Sequence, residues 1–236
     1  MLNLFRPPTS QQVAGHFDRH FRKVQARSRS RPLQIRVYSQ KLGIDYIFPT
    51  GSEGQPYHIA SIGKVFTATL VYRLAQRGRL RVTDAVAHYL PPAALERLFV
   101  HQHTDYAGQV TLAHLLNHTS GVADYFEGGA PGGRNVLDEA LAHRQYRWTP
   151  QMLLDFSRDH QTAVGAPGQV FHYSDTGYVL LGLVIEAVTG KSFARNLEDE
   201  FFRPLEMRDS YLMFGGEPAN TAGPEIAEIW FNGVDI

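Results

Sequence analysis

Residues 57–78, "YHIASIGKVFTATLVYRLAQRG", place Ser61 and Lys64 one helical turn apart at the start of an apolar helix. A serine hydroxyl is a weak nucleophile until a neighbouring base removes its proton, and burial lowers the pKa of a lysine towards that task. Residues three positions apart share one face of a helix, so the helix itself fixes their separation. The segment therefore predicts a nucleophilic serine with a lysine as its partner.

Each of the two residues also has an ordinary structural explanation. Serine favours the N-cap of a helix, so Ser61 would do no more than begin one. Lys64 would be a solvent-facing residue, but the helix dipole disfavours positive charge in a first turn. Lysine is also scarce in this chain, where most basic residues are arginine. We therefore favour the catalytic interpretation of the pair.

The composition is typical of a globular protein and excludes several kinds of chemistry. The 236 residues include 23 basic and 23 acidic side chains, and 43% are hydrophobic, which is enough for a sizeable core. Zero net charge gives no electrostatic reason to expect nucleic acid or a membrane surface as a partner. Because cysteine is absent, a disulfide framework, a thiolate nucleophile and a cysteine-ligated zinc site are excluded.

The first residues lead to an expectation about location. The start, "MLNLFRPPTSQQ", lacks the basic region and the long apolar region of a secretory signal. No stretch approaches the roughly 18 consecutive apolar residues that a membrane span needs. We therefore expect a cytoplasmic protein with no membrane partner.

A pair of strands precedes a chain that is otherwise mostly helical. Residues 16–32, "HFDRHFRKVQARSRSRP", predict an amphipathic helix that runs into an arginine- and serine-rich linker. "LQIRVYSQ" and "GIDYIFPTG" predict two strands joined by a turn near Gly43. We therefore divide the chain into an N-terminal helix and linker, 1–32, and the N-terminal portion of a single domain, 33–236.

Helical patterns fill most of the remaining sequence. After the helix that runs from about Ser61 to Gln76, the predicted helices are "TLAHLLNH", "TPQMLLDFSRDH" with its cap at Thr149, "TGYVLLGLVIEAVTG" ended by Gly190, and "SFARNLEDEFFRPL". Strands followed by helices favour an α/β (α+β) fold. Few strands remain to complete a sheet, so we expect strands to be missing at the C-terminal end.

Two other candidate sites fail on their spacing. His114 and His118 lie four apart in "HLLNH", but the glutamate of the HExxH metal motif is missing and no third ligand is evident. "TGKS" resembles the end of a phosphate-binding loop, yet Ile185 stands where the first glycine belongs and the segment follows a helix. No GxSxG motif occurs. We expect no metal and no cofactor.

Three ordered blocks carry a family resemblance. The blocks are "IASIGKVFTATLVYRLAQRGRLRVTDAVAHYLP", "VTLAHLLNHTSGVADYF" and "PGQVFHYSDTGYVLLGLVIEAVTGKSFARNLEDEFFRPLEMRDSYL". In order and spacing they resemble the serine β-lactamase and penicillin-binding-protein-like family. The likeness is closest to the class C-like branch, which includes esterases, D-aminopeptidases and D-Ala-D-Ala carboxypeptidases. The resemblance implies a β-lactamase/transpeptidase-like fold, with an antiparallel sheet flanked by helices and a mostly helical region.

The resemblance also implies roles for particular residues. Ser61 matches the acylated nucleophile, Lys64 its base partner, and Tyr173 of "YSD" the second base, which passes a proton to the leaving group. The family usually has asparagine where this chain has Asp175, and an ionised aspartate cannot donate a hydrogen bond. We therefore expect Asp175 to bind substrate and to favour an amine-bearing ligand.

A second departure concerns the end of the domain. The third motif of the family, a KTG or HxG triad on a strand beside the serine, normally lies far beyond "YSN" and does not occur in this sequence. We therefore expect a C-terminal partner to complete the fold, either as a second polypeptide produced by cleavage or as a separate subunit.

The function that these features predict is serine hydrolysis through an acyl-enzyme on a small ester or peptide-like amide. A serine acyltransferase is an alternative, because an amine or alcohol can intercept the same intermediate. β-Lactamase activity is another. A non-catalytic binding module is disfavoured because Ser61, Lys64 and Tyr173 are all present.

Overall fold

The computed structural model describes most of the chain, which divides into two compact units. The hairpin unit spans Met1–His58 together with Ala222–Ile236, and the helical unit spans Ile59–Thr221. The predicted boundary after residue 32 falls beside residues 28–32, which lie outside the described residues, so that boundary stays a prediction. The described residues are 8–27, 33–48, 55–126, 128, 135–143, 146–213, 215–216, 226–231 and 234–235.

In the hairpin unit a helix packs against a strand pair. Helix α1 (Ser10–Arg27) is followed by β1 (Ile35–Ser39) and β2 (Ile44–Phe48), which are antiparallel. The turn between the strands contains Gly43 with a φ of 61°, a left-handed conformation that glycine adopts without strain. The two predicted strands and their turn are therefore confirmed.

Aromatic rings join α1 to β2. Phe17 and Phe21 of the helix face Tyr46 and Phe48 of the strand, and the ring centroids of Phe17 and Tyr46 are 5.3 Å apart. The hydroxyl of Tyr46 donates to the Asp18 carboxylate at 2.7 Å. Burial and this hydrogen bond together raise the pKa of Tyr46 to about 12.

Helix α1 begins six residues before the predicted start at residue 16. The Thr9 hydroxyl accepts from the Gln12 N–H at 3.3 Å, and the Gln12 side chain accepts from the Thr9 N–H at 2.9 Å. This reciprocal pair is a capping box, which satisfies two backbone donors at a helix start. Its T-x-x-Q pattern is visible in the sequence and was the signal for the earlier start.

Among the described residues every strand belongs to a two-stranded antiparallel sheet. Besides β1 and β2, the pairs are Val100–His101 with Thr104–Asp105 and Trp230–Phe231 with Val234–Asp235. Strand pairs of this size are marginal on their own and need helices or further strands to cover a face. The described part of the chain thus contains no large sheet.

The helical unit holds most of the predicted helices. Its α-helices are α2 (Gly63–Gln76), α3 (Pro92–Leu95), α4 (Leu112–Leu116), α5 (Val136–Ala142), α6 (Pro150–His160), α7 (Asp175–Thr189) and α8 (Phe193–Leu197). Single 3-10 turns occur at Ala60–Ile62 and Val86–His88, and a π-helical turn, Glu198–Phe202, continues α8. Within the described ranges no single helix has the length and apolarity to cross a membrane, although α7 and Phe193–Phe202 pass that test as a pair bent by 78°.

Helix α7 is the centre of the helical unit because it is apolar on most of its surface. Its residues Leu180, Leu181, Val184 and Ile185 are fully buried, and helices α2, α4, α6 and α8 all contact it. Gly190 ends the helix in the left-handed conformation, as its sequence predicts. The elements that carry the predicted site residues are therefore fixed by one shared helix.

Replacement of a buried leucine in α7 tests this arrangement. We expect Leu181→Ala to lower the free energy of unfolding by about 2–5 kcal/mol, because the deletion leaves a cavity among four packed helices. Urea unfolding followed by circular dichroism measures the change. Leu205→Ala is the matched control: Leu205 is 64% exposed, so its effect should stay within about 0.5 kcal/mol. Equal effects would mean that α7 is not the core helix.

Candidate active site

Ser61 lies in the 3-10 turn that leads into α2. Ile59 and Ile62 occupy the N-cap positions of the turn and of α2, and neither helix start is capped by a side chain. The preceding Ala60 has a φ of 44°, in the left-handed region that non-glycine residues rarely enter. Ser61 is exposed. The ordinary N-cap explanation for Ser61 is therefore wrong, and its hydroxyl remains available for other contacts.

Lys64 projects from the first turn of α2 towards the serine. Its Nζ donates to Ser61 Oγ at 3.1 Å and to a carboxylate oxygen of Asp175. Only 17% of the lysine side chain is exposed, and 19% of the aspartate side chain. The predicted serine and lysine therefore meet, and the lysine also forms a largely buried ion pair.

Tyr173 reaches the serine from the segment before α7. Its hydroxyl donates to Ser61 Oγ at 2.9 Å. Lys64 Nζ lies 4.6 Å from the centroid of the Tyr173 ring, within the range of a cation–π contact. The structure thus brings together the three side chains that the sequence analysis placed in a catalytic role.

The ring of His118 packs against the ring of Tyr173. The two rings are stacked with centroids 4.4 Å apart, and His118 Nδ1 accepts the Ser174 N–H at 3.1 Å. Burial, followed by the charge of Lys64, lowers the pKa of His118, so the ring stays neutral and can accept this bond. The sequence suggests His118 only as a candidate metal ligand, so this contact was not predicted.

His114 is used in a different way from His118. Its Nδ1 accepts the Thr111 N–H at 3.2 Å, and the Thr111 hydroxyl accepts the His114 N–H, which forms a capping box at the start of α4. Across the described ranges, no group of three or more histidine and carboxylate side chains is arranged to hold a metal ion.

Asp175 is held at the first position of α7. Ser174 caps the helix by accepting from the Gly177 N–H, and the Asp175 N–H donates to Asp124 Oδ1 at 2.9 Å. Asp124 is 2% exposed and was not identified from the sequence. A carboxylate at a helix N-terminus is stabilised by the helix dipole. The position of Asp175 is therefore set by the backbone around it as well as by Lys64.

The charge state of Lys64 differs from the expectation. Burial alone lowers the pKa of Lys64, as the sequence analysis assumed, but the hydrogen bonds and charges of Asp175 and Tyr173 outweigh burial. The net result is a raised pKa, so Lys64 is an ammonium ion at neutral pH. The predicted lowered pKa is wrong because an anionic partner from α7 could not be inferred from α2 alone.

With the site in view, comparison with known proteins assigns the family. The family model described as Beta-lactamase matches residues 51–224, which is more than half of the chain. The protein therefore belongs to the β-lactamase family, and the resemblance read from the three sequence blocks is confirmed. The β-lactamase/transpeptidase fold is confirmed by similar solved structures, and members of this family are serine hydrolases.

Three relatives show how far the similarity extends. "Penicillin-binding protein 4" from Amycolatopsis lactamdurans is 34% identical over 65% of this chain and 35% of its own length. A D-stereospecific amidohydrolase from a Streptomyces species has a TM-score of 0.59 and 31% identity over 70% of this chain and 46% of its own. An octameric penicillin-binding protein homologue from Pyrococcus abyssi has a TM-score of 0.67 and 25% identity, covering 94% and 49%.

The chain thus spans about a third to a half of the length of these relatives. The expectation that strands are missing at the C-terminal end stays a prediction.

Removal of one hydroxyl tests the contact between Tyr173 and Ser61. Tyr173→Phe keeps the ring that stacks on His118 and deletes only the oxygen 2.9 Å from Ser61 Oγ. We expect acylation by a fluorophosphonate to slow by about 10²–10⁴, the usual contribution of a proton-transferring side chain. Timed intact-mass measurements give the rate. Tyr146→Phe, at a tyrosine that is 60% exposed, serves as the control and should acylate at the native rate.

Proposed function

We propose that this protein is a serine hydrolase that forms an acyl-enzyme on Ser61 from an ester or a peptide-like amide. The observation that carries the proposal is the hydroxyl of Ser61, which is hydrogen-bonded to both Lys64 and Tyr173. A nucleophile in contact with proton-transferring groups is the recurring arrangement of covalent catalysis.

The proposed reaction uses each of the three side chains. Ser61 Oγ attacks the carbonyl carbon while its proton moves to the oxygen of Tyr173, and Tyr173 passes that proton to the leaving group. The ammonium of Lys64 and the N-terminal end of α2 favour the negative charge that develops during the attack. Water then releases the acyl group from Ser61.

An amide is our preferred substrate class. The Streptomyces relative, described as a D-stereospecific amidohydrolase, is 31% identical to this chain. Asp175 stands in the same cluster, and the expected preference for amine-bearing ligands stays a prediction. An amine substrate would have to share the Asp175 carboxylate with Lys64, which already binds it.

The acyl-enzyme itself is the feature to test. After incubation with a fluorophosphonate or a penicillin, we expect a mass increase of one adduct, mapped by peptide sequencing to Ser61. Ser61→Ala should abolish the adduct, and Ser210→Ala, at a serine far along the chain, should retain it. No adduct with either reagent would favour a binding module. Formation of an amide or ester product from an added amine or alcohol would identify an acyltransferase.

We also propose that a C-terminal partner completes this domain. Ile62, Val65 and Tyr72 follow one another along one side of α2, and they are 63%, 64% and 54% exposed. Large apolar side chains grouped on a helix face are costly in water and are normally covered. The relatives are two to three times as long as their part that matches this chain. A polypeptide corresponding to their remaining length is our candidate for the partner that covers this apolar side of α2.

The partner proposal predicts association through this apolar side of α2. In native gels and intact-mass measurements of the protein purified from its source, we expect the chain to migrate with a second polypeptide. Val65→Glu should weaken that association by more than tenfold, because it places a charge among apolar contacts. Val164→Glu, at a valine that is 41% exposed elsewhere in the helical unit, should leave it unchanged. A fully active 26.5 kDa monomer would contradict the proposal.

A further inference from the structure

Lys64 is surrounded by groups that act on its charge. Its Nζ contacts the Asp175 carboxylate and Ser61 Oγ, and it lies 4.6 Å and 5.5 Å from the ring centroids of Tyr173 and Tyr178. Both a carboxylate and the faces of aromatic rings attract a cation. Every one of these contacts except that with Ser61 therefore favours the ammonium form.

Two further titratable neighbours, His118 and Tyr178, add no positive charge beside Lys64. His118 is kept neutral by burial and by the charge of Lys64, and burial raises the pKa of Tyr178, which therefore stays a neutral phenol. The groups that interact with Lys64 or with its immediate neighbours are Asp175, Tyr173, Tyr178, His118, Asp124, His172, Tyr72 and Tyr125.

The carboxylate of Asp175 is placed before any substrate arrives. Its backbone N–H is bonded to the buried Asp124, and the Ser174 cap fixes the first turn of α7. The core packing of α7 against α2 then sets the distance between Asp175 and Lys64. An ion pair with both partners held in this way pays little entropy to form and is screened little by solvent.

We propose that Asp175 is a positioning residue that holds Lys64 as an ammonium ion while Ser61 reacts. The serine proton then passes to Tyr173, the second base that the family resemblance implies. This inference rests on the proposed acyl-enzyme function and departs from the expectation that Asp175 mainly binds substrate. It gives a reason for an aspartate at a position where the family usually has asparagine.

The proton balance follows from the geometry. An ammonium nitrogen carries three N–H bonds and has no lone pair, so Lys64 cannot accept a proton. Among the described residues, the hydrogen-bond partner of Ser61 Oγ besides Lys64 Nζ is the Tyr173 hydroxyl. The Tyr173 hydroxyl donates to Ser61 Oγ in the structure, so it first gives its own proton to water, and its oxygen then takes the serine proton as Oγ bonds to the carbonyl carbon. The same proton then passes to the leaving group as the carbonyl–leaving-group bond breaks.

Titration of the lysine side chains measures the charge of Lys64 directly and requires no reaction at Ser61. The chain has four lysines, Lys23, Lys41, Lys64 and Lys191, so carbon-13 labelling at Cε gives four resonances that can be assigned by substitution. We expect Lys64 to titrate at a higher pH than a free lysine side chain. A Lys64 resonance that titrates below the value of a free lysine side chain would overturn the proposal without any need for a folded variant.

Asp175→Asn isolates the charge of the carboxylate. The amide is nearly the same size as the carboxylate and can still contact Lys64. Because it carries no negative charge, it only weakly opposes the lowering of the Lys64 pKa by burial. We expect the Lys64 titration to move to lower pH. Asp175→Glu, which keeps the charge, should restore the high titration point. An unchanged Lys64 titration in Asp175→Asn would show that the carboxylate does not hold the ammonium.

A matched ion pair elsewhere provides the control. Lys191 Nζ donates to Asp199 at 2.8 Å, and the lysine side chain is 53% exposed. Asp199→Asn should leave the Lys64 titration unchanged. A Lys64 shift in this variant equal to that in Asp175→Asn would mean that the titration responds to general charge loss, and would overturn the specific role of Asp175.

The pH profile of acylation supplies the functional readout. In the native protein the fluorophosphonate rate should fall at high pH, where Lys64 loses its proton, and in Asp175→Asn this fall should begin at lower pH. Superimposable profiles would overturn the positioning role. Absence of acylation in every variant would instead count against the proposed hydrolase function, while the lysine titration would still decide the charge of Lys64.

Discussion

The packing of α7 against α2 is the constraint on which the site depends. Helix α2 carries Lys64 and is preceded by Ser61, whereas α7 begins at Asp175 and is preceded by Tyr173. Neither helix could place its side chains beside those of the other without the buried contact between them. Because cores are close-packed and resist small displacements, this contact fixes the positions of the hydrogen-bonding atoms. The apolar character of α7 is thus a requirement of the chemistry as well as of stability.

The local features of the fold were predictable from the sequence where one residue controls one backbone conformation. Gly43 and Gly190 have no side chain and so allow the backbone conformations of a turn and a helix end, and the Thr149 side chain caps α6. Each of these effects acts within a few residues of the chain. The pairing of Ser61 with Lys64 was predictable for the same reason, since a single helical turn joins them. Tyr173 required more: its place beside Ser61 came from the family resemblance, not from any local rule.

The features that sequence reasoning missed depend on contacts between distant segments. The raised pKa of Lys64 comes from Asp175, which is 111 residues away in the chain, and the support of Tyr173 comes from His118. A carboxylate such as Asp124 gives no sign in the sequence that it will be buried against the N–H of Asp175. These contacts form only when the core assembles, so no window of a few residues contains them.

The left-handed backbone at Ala60 limits which sequences can carry this serine. A position with a φ of 44° accepts glycine without strain, accepts alanine or asparagine at some cost, and accepts β-branched residues poorly. The restriction acts on the residue before the nucleophile and is independent of the reaction that the nucleophile performs. Related chains that keep this backbone but have lost all activity should therefore still show the same narrow choice of residues at this position, as a record of geometry inherited separately from chemistry.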